Sequence, residues 1–165
     1  MNLTISGGYN GDLYGYLVLQ SNDGSTTTAI LLNRVGSGES GVSSYGYATA
    51  GFNNITLSSA GGQNIHTVET PTTGGTYAAD GRAVDPNGSF AGAATTSGLG
   101  LLNGHDAQGT WTLFLADMSA GSTGMLVSWG LDVSVIPEPA TWALMIFGSL
   151  LGIYAVSRRM RRQMA

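Results

Sequence analysis

The charged and imidazole side chains available for acid–base or metal chemistry in this chain are ten carboxylates, two histidines and six arginines, since lysine and cysteine are absent. Without cysteine, disulfides, thiolate catalysis and Cys-ligated zinc or iron–sulfur centres are excluded. His66 and His105 are the only imidazoles, and no G-x-S-x-G elbow accompanies them. Neither stands in a triad context, so both read as loop or surface histidines and the chain as non-enzymatic. Tyr9, Tyr14, Tyr16, Tyr45 and Tyr47 offer stacking faces for sugar rings if they are exposed. Gly-flanked tyrosines equally fill the cores and rims of β-sandwiches.

The most informative spacing lies near the C-terminus. Pro137-Glu138-Pro139 precedes an uncharged run, ATWALMIFGSLLGIYAVS, over residues 140–157, and Arg158, Arg159, Arg161 and Arg162 follow at once. The two prolines end the preceding strand and keep the segment extended, because each fixes φ and removes a backbone donor. As a helix the run would extend about 27 Å at roughly 1.5 Å per residue. That just suffices for a hydrocarbon core about 30 Å thick. Trp142 and Tyr154 fall near its ends, where amphipathic rings prefer the interface, and an arginine flank stays cytoplasmic. The sequence therefore predicts one transmembrane helix at about 140–157, with residues 1–136 outside.

Such a tail needs a body, and composition says what kind. Gly fills 26 positions and only 10% of residues are charged. Gly, Ser, Thr and Asn disfavour helix and favour turns, so an all-β body is expected. Residues 1–136 carry nine carboxylates against Arg34 and Arg82, a net charge of −7, whereas 137–165 carry one glutamate against four arginines, a net +3. An acidic body repels phosphate backbones, which argues against nucleic acid.

Strand-like runs occupy 2–6, 13–20, 28–35, 52–58, 109–116 and 125–135. Asn22-Asp23-Gly24 supplies a hairpin turn between the second and third. In the last run Val127, Trp129, Leu131, Val133 and Val135 alternate with polar or small residues, predicting one inward face. Trp111, Leu113, Leu115, Trp129, Leu131 and Val133 are the expected core of the closing strands. The Gly- and Thr-rich stretch between 61 and 104 reads as loops and short strands.

Two resemblances sharpen this reading. The motif Pro137-Glu138-Pro139, a Trp-bearing span and a terminal arginine cluster closely resemble the PEP-CTERM sorting signal over residues 137–162. That resemblance implies a Gram-negative-type envelope and recognition near the PEP motif by an exosortase, a membrane-embedded cysteine transpeptidase. It also implies removal of the helix and a link to exopolysaccharide and biofilm. In the body, Gly11-Asp12-Leu13, Tyr16-Leu17-Val18-Leu19 and Ala29-Ile30-Leu31-Leu32-Asn33-Arg34 resemble the opening half of the P domain (Homo B) of proprotein convertases. Gly109-Thr110-Trp111-Thr112-Leu113-Phe114-Leu115-Ala116-Asp117, with Gly124, Leu126 and Trp129, is similar to its closing half. The match covers 3–36 and 104–135.

The P-domain resemblance implies a jelly-roll-like antiparallel β-sandwich over 1–136, with the sorting tail over 137–165. It implies a further strand before 2–6, so Met1 is expected to be internal to a longer precursor whose signal peptide lies upstream, and the sheet to have an unpaired edge. Because relatives of the fold can bind calcium, Asp12, Asp106 and Asp117 are calcium candidates. Calcium takes about six to eight oxygens and no D-x-D-x-D-G ladder is present, so turn chemistry accounts for the same three residues. No other cofactor is expected. The leading function is an exported envelope or matrix module. The alternatives are the accessory domain of a subtilisin-like serine protease that has lost its catalytic part, and a carbohydrate-binding module.

Overall fold

The computed structural model describes residues 1–69, 73–134 and 139–163, the last stretch with side chains at 144–154, 159 and 160. The chain divides into two units, Met1–Asp132 and Val133–Ala165.

The first unit is built from seven strands: β1 (Asn2–Gly7), β2 (Leu13–Ser21), β3 (Thr26–Asn33), β4 (Phe52–Ser58), β5 (Thr76–Ala78), β6 (Gly109–Asp117) and β7 (Gly124–Gly130). They form a four-stranded sheet in the order β5-β4-β1-β7 and a three-stranded sheet in the order β3-β2-β6. Every pairing is antiparallel except β4 with β5. Strand β1 is paired on both sides, by β4 and β7, so the edges of its sheet are β5 and β7.

Alternation explains the core. In β2, Leu13, Gly15, Leu17 and Leu19 are buried while Tyr14, Tyr16 and Val18 stand on the other face. Leu3 and Ile5 of β1 and Phe52, Ile55 and Leu57 of β4 meet Leu17, Ala29, Leu31 and Leu32 of the other sheet in one cluster. Each side chain of this size removed from water contributes about 1.5–3 kcal/mol. The β2–β3 hairpin turns where Asp-Gly predicts it. Gly24 takes φ +89° and its N–H donates to the Ser21 carbonyl at 3.0 Å, while the Ser25 N–H donates to Asp23 Oδ1 at 2.7 Å.

Strand β3 is buried on consecutive residues from Ala29 to Asn33. Alternation alone cannot do that; a second layer must cover it. The cover is the segment between β5 and β6, whose Asp80 and Gly81 N–H groups donate to the Leu31 and Ile30 carbonyls, and whose Ser97 carbonyl accepts from Ile30. This edge is therefore closed by loop backbone.

The closing strands depart from expectation. Strand β7 stops at Gly130, so 131–134 extend no strand. Trp129 is 39% exposed, Val133 47% and Val127 57%, while Trp111, Leu113, Leu115 and Leu131 are half-buried against the core. The cause is a register shift between β1 and β7: Ile5 faces Leu126, but Leu3 faces Trp129. Three residues of β7 span two of β1, so strict period-two alternation breaks at the bulge. Among the described residues no strand lies beyond β7, so even its inward residues stay partly wet. The core centres on β1, β2, β3 and β4.

The second unit holds one α-helix, α1 (Pro139–Gln163). Among the described residues no helix is long and apolar enough to cross a membrane. The transmembrane helix expected at about 140–157 is therefore not supported by the described residues.

Candidate functional site

A cluster of charged and polar side chains gathers around Arg34. This residue follows β3 and is held at φ +50°, a left-handed backbone that non-glycine residues adopt only when their surroundings impose it. Its Nε donates to the Gly11 carbonyl at 3.1 Å, and its Nη2 donates to Ser119 Oγ at 3.1 Å and lies 3.5 Å from Asp12 Oδ1. The guanidinium lies 5.8 Å from the centre of the Tyr45 ring, within range of a cation–π contact. Arg34 and Asp12 are both buried, so this pair neutralises charge where water is scarce.

Asp12 also lines an open cavity of about 640 Å³ whose walls include Tyr9, Ser43, Tyr45, Tyr47 and Ser119. Three loop segments line it, around 9–12, 43–48 and 119–120, and backbone bonds fix the first two together. Gly11 N–H donates to the Tyr47 carbonyl at 2.9 Å, Asn10 N–H to Thr49 at 2.8 Å, and Tyr47 N–H to Val35 at 2.9 Å. Such approach requires glycine. A Cβ on Gly11 would run into the Tyr45 carbonyl, and one on Gly46, at φ +80°, would strike the Val35 carbonyl. Tyr9 is 46% exposed and Tyr45 66%. Tyr47 packs partly on the core, and burial, with Glu39 and Glu69 nearby, pushes its phenol up from the ordinary value.

The structure thus brings together three of the five tyrosines singled out by sequence. Tyr14 and Tyr16 go elsewhere, to the outer face of β2, where Tyr16 stacks on Phe114 at 4.7 Å and Tyr14 meets Tyr16 edge-on at 5.8 Å. These rings satisfy one another. A second cavity, of about 410 Å³, is lined by residues such as Ser58, Asn64, Thr95 and Leu99 and has no charged or aromatic wall.

The calcium candidates do not converge. Asp117 accepts the Ser119 N–H at 3.3 Å and the Gly124 N–H at 3.0 Å, and Asp106 accepts the Gln108 N–H at 3.0 Å, both as turn residues. Asp12 faces Arg34. No group of three or more metal-ligating side chains assembles among the described residues.

His105 is exposed, with Nε2 3.4 Å from Thr27 Oγ1. His66 corrects the surface reading, for it is fully buried. Its Nδ1 lies 2.6 Å from Asp80 Oδ2 and its Nε2 donates to the Ser37 carbonyl at 3.0 Å. Asp80 in turn accepts from the Asn33 N–H and Arg82, and Arg82 reaches Glu39 at 3.6 Å. The ring nitrogen that would activate a nucleophile is spent on a carbonyl oxygen, so this dyad ties three loops together and offers no base to a substrate. Sequence reasoning missed it and missed Arg34. The available signal was scarcity: Arg34 and Arg82 are the only cations in residues 1–136, and both hold buried carboxylates.

In the tail, Pro137 and Glu138 lie outside the described residues, as do the side chains of Pro139, Arg158, Arg161 and Arg162; Arg159 is exposed. No family model, curated protein or solved structure matches this chain.

Proposed function

We propose that this chain is an exported, non-enzymatic module of a bacterial envelope, delivered by a C-terminal tail that an exosortase recognises and removes. The observation that carries the reading is in α1. Leu144, Met145, Ile146 and Phe147 are consecutive, so they point around the whole circumference of the helix, and all four are exposed, as are Leu150, Leu151 and Ile153. A helix apolar on every side is at home in lipid or a protein core, not in water. The Ser149 hydroxyl donates to the Met145 and Ile146 carbonyls and so leaves no unpaired donor, as an apolar surrounding requires.

The sequence supplies the rest: Pro137-Glu138-Pro139 ahead of the uncharged run 140–157, and Arg158, Arg159, Arg161 and Arg162 behind it. In this reading the helix crosses the inner membrane in the precursor, with the arginines cytoplasmic and the β body periplasmic. After cleavage the body belongs to the envelope or the extracellular matrix, in an exopolysaccharide or biofilm setting. The two-sheet arrangement with one shared core supports a P-domain-like, jelly-roll-related body.

Mass spectrometry of the mature C-terminus, in a host with an exosortase, tests the proposal. The processed form should lack the residues from about the PEP motif onward, a loss of about 3 kDa for a tail of spanning length. Replacing Pro137 and Pro139 with Ala should leave insertion intact but block cleavage. An envelope-resident wild-type form that still carries Arg158 to Arg162 would overturn it.

A further inference from the structure

Two exposed tyrosines and a buried carboxylate line one cavity. Tyr45 and Tyr9 leave about half or more of their surface in water, so they do not fill a core. We propose that this cavity is a subsite for a neutral pyranose saccharide, with Tyr45 and Tyr9 as stacking faces and Asp12 as the acceptor that orients the ring.

The chemistry fits the ligand class on four counts. An aromatic face carries partial negative charge and attracts the partly positive C–H face of a pyranose, while the sugar's hydroxyls need acceptors and donors at the rim. Asp12 and Ser119 line the wall and supply them. Asp12 Oδ1 faces Arg34, but no hydrogen bond among the described residues reaches Oδ2. A carboxylate oxygen left this way can accept from a hydroxyl in a charge-assisted bond. The volume, about 640 Å³, lies within the span of small-molecule sites, roughly 300–1,000 Å³.

Electrostatics selects a neutral sugar over a uronate or phosphate polymer. The Arg34 guanidinium that pairs with Asp12 is already committed to Asp12, Gly11 and Ser119. The body around it is net acidic and would repel an anionic chain. Preorganisation makes a shallow site usable. The glycine-enforced contact between Gly11 and the Tyr45–Tyr47 loop fixes the walls before a ligand arrives, so little ordering entropy is lost on binding.

The inference concerns the body alone and does not depend on processing of the tail. The test is a ¹H–¹⁵N NMR titration of the full chain in a detergent without a sugar head group. The probes are cellohexaose, maltohexaose and mannohexaose, with hexagalacturonate as the anionic comparison, each to about 10 mM, a range that detects weak binding. At least one neutral hexasaccharide should shift resonances of residues 9–12 and 43–48. Tyr45→Ala should weaken that binding about tenfold, the effect of one lost stacking contact of about 1.4 kcal/mol, and Tyr45→Trp should retain it. Tyr14→Ala, on the outer face of β2, should leave it unchanged. Tyr45→Ala removes an exposed side chain, and unshifted core resonances verify that each variant is folded. The proposal fails if no neutral hexasaccharide shifts these residues, if binding survives Tyr9→Ala/Tyr45→Ala, or if hexagalacturonate binds as tightly.

Discussion

His66 Nδ1 lies 2.6 Å from Asp80 Oδ2, with both side chains almost entirely out of water. Its other ring nitrogen, Nε2, lies 3.0 Å from the Ser37 carbonyl, so both nitrogens are engaged. Asp80 is also bonded by the Asn33 N–H and by Arg82. Removing one partner of a buried pair leaves the others unsatisfied. Asp80→Ala is therefore expected to cost about 3–5 kcal/mol. Asp80→Asn, which keeps the shape and some hydrogen bonds, should cost less. Chemical denaturation monitored by tryptophan fluorescence measures both. Equal stability of wild type and Asp80→Ala would remove the dyad from any account of the fold.

The position of the core yields a second expectation. Phe52 is 1% exposed at the centre of the shared cluster, whereas Trp129 sits on the edge strand β7, 39% exposed. Phe52→Ala should cost about 3–5 kcal/mol, as for other buried aromatic truncations. Trp129→Ala, though it deletes more atoms, should cost less than half of that. The same denaturation curves decide it, and the reverse order would mean that the closing strands carry the core after all.

That contrast shows what the residues disclosed. Strand β4 was legible to its ends because Phe52, Ile55 and Leu57 sit among Asn, Thr and Ser with turn residues outside. The hairpin at Asp23-Gly24 was legible because the required φ is local. The inward face of β7 was not, since a one-residue bulge against β1 depends on a partner more than a hundred residues away. Five buried residues in β3 likewise depend on the cover from 80–97. His66 was misread for the same reason, because its two partners stand 14 and 29 residues from it and no local spacing announces them. For the saccharide cavity, the tyrosine types were visible but their division was not. Only the register of β2 with β6 sends Tyr16 to Phe114, and only the loop contact through Gly11 gathers Tyr9, Tyr45 and Tyr47.

Two groups make the pH dependence testable. Burial first, then Glu39 and Glu69, raise the Tyr47 phenol above the ordinary value of about 10. A raised folded-state value means that this stabilising contribution is complete below the unfolded value and is lost as pH climbs through the folded one. Tyr14 is raised as well, so absorbance titration should show late-ionising phenols, of which one disappears in Tyr47→Phe. At the other end, hydrogen bonds from the Ser25 side chain and backbone hold the Asp23 carboxyl below its ordinary range. Its contribution is present above the unfolded value and fades as pH falls through the folded one. Carbon-detected NMR of Asp23 should give a midpoint below that of a free aspartate, and Ser25→Ala should raise it.

The cavity loop gives a prediction that concerns backbone alone. Gly46 at φ +80° lies against the Val35 carbonyl and 2.8 Å, measured from a hypothetical Cβ, from Gly11 Cα. Gly46→Ala adds both left-handed strain and a clash, for which about 1–3 kcal/mol is the expected cost. The loop should move away from Gly11, and hydrogen exchange at the Gly11 and Tyr47 amides should accelerate. Gly41→Ala has a positive φ but open space around it, so it should leave those amides protected. Equal protection in both variants would mean that the cavity walls are not fixed by this contact.

Orientation of the tail is the last expectation. Four arginines within five residues follow the uncharged run, and Glu138 is the one charge just ahead of it. Arginine near the end of a span resists translocation, so the cluster should stay in the cytoplasm and hold the β body outside. Expressed behind an added signal peptide, a fusion after Ala165 should give cytoplasmic reporter activity and an insertion at Gly61 periplasmic activity. Gly61 suits the insertion because its surroundings are open. Replacing all four arginines with Gln should weaken retention and let the end slip across, while the described strands, which contain none of them, stay folded. A periplasmic signal from the wild-type C-terminal fusion would reverse the topology and, with it, the side from which a processing enzyme could approach Pro137-Glu138-Pro139.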